Sequence, residues 1–180
     1  PLFAGFQLGG SYARDGFRDE DNGNCDSSTC DFLDIGANYV NSFGGVDLAV
    51  SGRYGTASAA DDFPDRSDPE TYGFGLKLGF DGFTIGGSWA ETEESRFGDD
   101  IEGTAYDIGA AYDTGPWRFS ATYFHGENDA SSTSSTATAS EESDQFSIAA
   151  NYKLAKGVRV NLNGAYVDYE SDLGSASVEA

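Results

Sequence analysis

The sequence predicts an antiparallel transmembrane β-barrel, and three observations carry that prediction. Apolar and polar residues alternate with period two over successive segments of roughly ten residues, the length a tilted strand needs to cross a bilayer. Aromatic residues gather at the ends of these segments around aliphatic middles, as two membrane–water interfaces demand. The connections alternate between short and long, the asymmetry of a barrel with tight turns on one side and loops on the other.

The segments can be justified in chain order. Leu2 to Arg14 puts Leu2, Ala4, Phe6, Leu8 and Tyr12 on one face, because successive strand side chains point to opposite sides. Leu33 to Asn41 does the same with Leu33, Ile35, Ala37 and Tyr39, and Val46 to Gly55 with Val46, Leu48, Val50 and Tyr54. Thr71 to Phe80 is the clearest: Tyr72, Phe74, Leu76, Leu78 and Phe80 alternate with Thr71, Gly73, Gly75, Lys77 and Gly79. A helix there would mix Phe with Gly and Lys on one face. Phe83 to Glu91 offers Phe83, Ile85 and Trp89; Thr104 to Asp113 offers Tyr106, Ile108, Ala110 and Tyr112. Trp117 to Gly126 offers Trp117, Phe119, Ala121 and Tyr123; Gln145 to Lys153 offers Phe146, Ile148, Ala150 and Tyr152. Val158 to Val167 completes nine strands with Val158, Val160, Leu162 and Tyr166.

The opposite faces are small or polar, with Asp34, Gly36 and Asn38, then Asp47, Ser51 and Arg53, then Arg118, Ser120 and Thr122. Tyr72, Phe80, Trp89, Tyr106, Tyr112, Trp117 and Tyr123 form the expected aromatic girdles. Short connections fall at residues 42–45, 81–82, 114–116 and 154–157, and Asp81-Gly82 is a strong two-residue hairpin signal. Long connections are expected at 15–31, 57–70, 92–103 and 127–144, and they carry much of the acid. Residues 130–140 are all Ser, Thr and Ala, which bury no core and read as a mobile loop.

Composition excludes several classes. Acidic residues outnumber basic ones 31 to 10, a net charge of −21, whereas a nucleic-acid binder needs a basic footprint. Aromatics make up 14%, too many for a disordered acidic tail. No apolar run approaches the roughly 18 residues of a membrane helix. One His and two Cys leave little material for a zinc or His-based catalytic centre, so no enzyme activity is expected. There is no initiator Met and no signal-peptide pattern, so the chain reads as a processed product or a piece of a longer one.

With these segments in view, the chain resembles the general porins of alphaproteobacteria. Phe3-Ala4-Gly5-Phe6-Gln7-Leu8-Gly9-Gly10-Ser11-Tyr12 resembles their strands, as do Phe43-Gly44-Gly45-Val46, Tyr72-Gly73-Phe74-Gly75-Leu76-Lys77 and Tyr106-Asp107-Ile108-Gly109-Ala110-Ala111-Tyr112. The repetition, rather than any one phrase, carries the resemblance across the chain. It implies a sixteen-stranded homotrimeric barrel in the bacterial outer membrane, among lipid and lipopolysaccharide, passing small hydrophilic solutes and ions passively. Residues 1–180 then form part of a single barrel domain, about nine strands of the sixteen. An even strand number calls for a closing strand after Ala180, and if that is the sixteenth strand the resemblance implies, the barrel's N-terminal strands are expected to lie upstream of this chain.

Candidate site residues follow from parity and charge. Arg53, Lys77, Arg118, Lys153 and Arg159 fall on the polar face, where charge in a pore sets ion selectivity. Lys77 is mid-strand and Arg53 higher in its own; the other three lie near the short turns. The resemblance implies a basic lumen wall facing acidic residues of a constriction loop, although those cations also serve simply to solvate a wet wall. Cys25 and Cys30, with four residues between them in an acidic loop, read as a short disulfide, with free thiols or a redox pair as alternatives. Asp19, Asp21, Asp99 and Asp100 are hard oxygen donors of the kind Ca²⁺ takes, without the spacing of an EF-hand; a diffuse negative vestibule is the plainer reading. His125 falls on the apolar face beside the upper girdle, and no Ser is singled out to partner it.

Two other classes remain. A small barrel with a structural or adhesive role would fill its interior with side chains, whereas these inner faces are rich in Gly, Ser, Ala and Asn. A soluble β-sandwich or lectin would bury the Phe, Tyr and Leu face against a second sheet.

Overall fold

The computed structural model describes residues 4–14, 29–59, 67–96, 99–131, 138–171 and 174–179. Its strands are β1 (Phe6–Ala13), β2 (Thr29–Phe43), β3 (Val46–Ala59), β4 (Glu70–Phe80), β5 (Phe83–Arg96), β6 (Asp99–Thr114), β7 (Trp117–Ser131), β8 (Thr138–Ala155), β9 (Val158–Ser171) and β10 (Gly174–Glu179). They form one sheet in sequence order, each strand antiparallel to the next. β1 and β10 are its two edges.

The nine expected strands are present, and β10 is an addition. It pairs with β9 from Gly174↔Ser171 to Glu179↔Tyr166, although its Gly-Ser-Ala-Ser-Val-Glu sequence lacks large alternating apolar residues. β1 starts later than expected. Ala4 and Gly5 have positive φ and make a turn, so the strand begins at Phe6, while Leu2 lies outside the described residues.

The short connections are four two-residue turns, at 44–45, 81–82, 115–116 and 156–157. Asp81 and Gly82 both have positive φ (47° and 80°), the backbone of a type I′ turn, whose twist matches that of the flanking strands. On the other side the ladders run further than the apolar pattern does. Of the loop expected at 92–103, residues 92–96 and 99–103 are paired strand, with Glu93 opposite Glu102. Likewise β7 and β8 pair out to Ser131↔Thr138 within the expected loop 127–144. Backbone hydrogen bonds hold a ladder without an apolar face, so alternation ends at the lipid boundary while the strand continues. Residues 132–137, inside the expected Ser/Thr/Ala loop, lie outside the described residues, as do 15–28.

The register joins the apolar face of each strand to that of its neighbour. One row reads Tyr39–Val50–Leu76–Gly87–Ile108–Tyr123–Phe146–Tyr166, unbroken from β2 to β9. Among the described residues nothing covers this face: Leu8, Leu76, Ile85, Ile108, Phe119, Ile148 and Leu162 are all exposed. Among the described residues only Cys30 and Ala57 are buried apolar side chains. An uncovered apolar face this extensive fits lipid as its solvent, and the described residues form no second layer of the kind a sandwich needs.

Candidate functional site

The opposite face is built from small and polar residues, because the same register that stacks the apolar residues stacks these. At mid-depth one row reads Ala49–Lys77–Gly86–Gly109–Thr122–Ser147–Ala165. The next row toward the loops reads Asn38–Ser51–Gly75–Ser88–Asp107–Phe124–Gln145–Val167. Apart from Phe124 and Val167, these residues leave the surface low and wettable.

All five expected cations lie on this face, at different depths. Lys77 is three residues from the β4 turn end, about 10 Å along the strand, and its row neighbours are Ala49 and Gly86. Among the described residues it forms no ion pair. Arg53 stands higher, between Gly36 and Gly73, and its Nε donates to Asp34 Oδ2 at 2.6 Å. Arg118 is opposite Asp113 by the β6–β7 turn, with Nη1 2.6 Å from Oδ2. Lys153 faces Arg159 beside a register shift near the β8–β9 turn. The five are therefore dispersed over two rims and the middle rather than brought together.

The wall also carries acids. Ser42 donates to Asp47 through their side chains, and Ser88 donates to Asp107. Asp107 lies two strands across from Lys77 and two residues nearer the loops, about 12 Å away at ordinary strand spacing, so a positive and a negative charge share the middle of the wall. Asp107 and the neighbouring Phe124 are wall residues that the sequence reading did not single out; the signal was their parity with Gly109 and Thr122.

The girdle residues all fall on the apolar face. At the turn side Phe83 stacks on Tyr112 with ring centroids 4.2 Å apart, Trp117 meets Tyr152 at 4.5 Å, and Phe80 stands opposite Phe83. At the loop side Tyr54 meets Tyr72 at 5.5 Å, Tyr106 meets Tyr123 at 6.1 Å, and Trp89 stands opposite Tyr106. Just beyond that upper girdle Glu70 accepts hydrogen bonds from the hydroxyls of Tyr72 (2.5 Å) and Tyr54 (2.7 Å). These two donors, Tyr72 first, hold its carboxyl below the usual carboxylate range.

Cys30 is fully buried at the loop end of β2 and is not a free thiol; Cys25 lies outside the described residues. Asp19 and Asp21 also lie outside them. Asp99 and Asp100 pair in backbone register with Arg96 and Ser95, and their side chains are not described.

No curated protein matches the chain. A model of the Gram-negative porin family matches residues 1–172 of the 180, and the chain, with its two-faced antiparallel sheet and aromatic girdles, belongs to that family of bacterial outer-membrane β-barrels.

Proposed function

We propose that the protein is a passive diffusion channel for small hydrophilic solutes and ions, working as a homotrimer. The observation that carries this reading is the wall: Gly, Ala, Ser and Thr dominate the mid-depth row, and they are too small to fill a barrel with side chains. A water-filled lumen then needs no chemistry. Size excludes, and fixed charge filters. Lys77 and Arg53 are the wall cations nearest the middle, with Asp107 and Asp34 as their acidic counterparts; Arg118, Lys153 and Arg159 line the vestibule on the turn side.

The two edges, β1 and β10, support a larger barrel of which the described strands are one part, since hydrocarbon does not tolerate an open sheet edge. Sixteen strands is the number the resemblance implies. A disulfide between Cys25 and Cys30 is part of the same reading, supported by the burial of Cys30.

The test is single-channel recording. Purified protein added to a planar bilayer in KCl is expected to insert in stepwise conductance increments, grouped in threes. Insertion without any conductance would overturn the channel reading and favour a small barrel with a structural or adhesive role.

A further inference from the structure

We propose a divalent transition-metal site on the apolar face of the sheet, just beyond the upper girdle, formed by His125, Glu142 and Asp144. The β7–β8 register places His125 directly opposite Asp144, with Glu142 two residues further along the same face. His125 Nδ1 lies 3.0 Å from Asp144 Oδ1 and 3.7 Å from Glu142 Oε1, and the three donor atoms fall within 4.8 Å of one another. Donors about 2.0–2.1 Å from a tetrahedral metal stand about 3.3 Å apart, so these separations already bracket the edges of such a shell.

The nitrogen donor is what separates this group from the many loop carboxylates. Carboxylates alone suit Mg²⁺ and Ca²⁺; one imidazole with two carboxylates suits Zn²⁺, Co²⁺, Ni²⁺ or Cu²⁺, with water completing the shell. The donors are also held in place. The Tyr106 ring packs on His125 at 4.9 Å, the His125 side chain is only 17% exposed, and the Tyr123 hydroxyl donates to Asp144 Oδ1 at 2.6 Å. Outer partners of this kind orient metal ligands.

Charge favours a cation here independently. Asp144 faces Asp168, and Glu142 faces both Glu127 and Glu170. Like charges directly opposite on adjacent strands are destabilising, and a bound dication offsets them. The site lies on the face opposite the pore wall, so it has no part in solute passage.

The test is calorimetric titration of the purified, detergent-solubilised, EDTA-stripped protein with Zn²⁺. One Zn²⁺ per chain is expected, with His125→Gln weakening binding at least tenfold and Glu91→Gln, on β5, leaving it unchanged. Equal Zn²⁺ affinity in His125→Gln, equal competition by Mg²⁺ or Ca²⁺, or no stoichiometric binding would overturn the proposal. X-ray absorption of the Zn²⁺-loaded unmodified protein keeps the test decisive should the variant misfold. A nitrogen in the metal's inner shell is expected, and an all-oxygen shell refutes the site.

Discussion

Arg53 Nε and Asp34 Oδ2 meet at 2.6 Å across the β2–β3 ladder, so the charge of this wall arginine is matched on the spot. Lys77, deeper in the wall, has no such partner among the described residues. Replacing both members of the pair, Asp34→Asn with Arg53→Gln, removes no net charge. It is expected to leave the K⁺/Cl⁻ permeability ratio unchanged, whereas Lys77→Gln shifts it toward K⁺. The pair is exposed (64% and 33%), so its loss costs about 0–1 kcal/mol and the double variant still folds. Reversal potentials in a KCl gradient decide the matter; a double variant that shifts as far as Lys77→Gln would mean the pair acts as separate charges.

The turns make a second prediction. Gly82 has φ +80°, and a Cβ there would lie 2.6 Å from the Asp113 carbonyl oxygen; Gly44 has φ +59° and open space around it. Gly44→Ala therefore pays only the left-handed backbone, about 1–2 kcal/mol. Gly82→Ala pays that and a clash with a backbone atom that cannot rotate away. The thermal midpoint in detergent is expected to fall further for Gly82→Ala, and equal midpoints would refute the steric argument.

These contrasts show which parts of the molecule the sequence expressed. The Asp81-Gly82 turn and the alternation from Tyr72 to Phe80 are local, so one strand's sequence suffices to read them, and the depth of Lys77 follows by counting from the turn. The short β10 was not legible because Gly174–Glu179 lacks an apolar face and is defined by pairing alone. The continuation of β5 and β6 past the girdle was hidden for the same reason, with Glu93 opposite Glu102 where a lipid-facing strand would show apolar residues. Arg53 with Asp34, and His125 with Asp144, are each 19 residues apart, and only the register joins them. Parity assigns a residue its face; it does not assign a neighbour.

Glu70 supplies a pH prediction. Its folded carboxyl titrates below its ordinary value of 4.5 because the Tyr72 and Tyr54 hydroxyls favour the carboxylate. A folded value below the unfolded one means stabilisation that is fully present above the unfolded value and lost as the pH falls through the folded value. Glu70→Gln is therefore expected to melt lower than the unmodified protein at neutral pH, with the gap closing below pH 4.5. A gap of constant size across that range would assign the effect of the substitution to packing.

The last prediction concerns Cys30. Its side chain is wholly buried and is not a free thiol, at the loop end of β2 where the ladder with β3 shifts register between Cys30 and Leu33. A cross-link to Cys25, as proposed, would close a short segment and be worth about 2 kcal/mol by the chain-entropy account. The register shift sits beside it, and Asp31 there holds φ +52°, so the cross-link is expected to steady an irregular strand end rather than the membrane-spanning sheet. Denatured protein is accordingly expected to take up no iodoacetamide before reduction and two equivalents after it, by intact mass. Cys25→Ser/Cys30→Ser is expected to keep its bilayer conductance while its loop end becomes more sensitive to protease. Alkylation of unreduced protein would disprove the pairing, and loss of conductance in the double variant would place the cross-link in the channel's own framework.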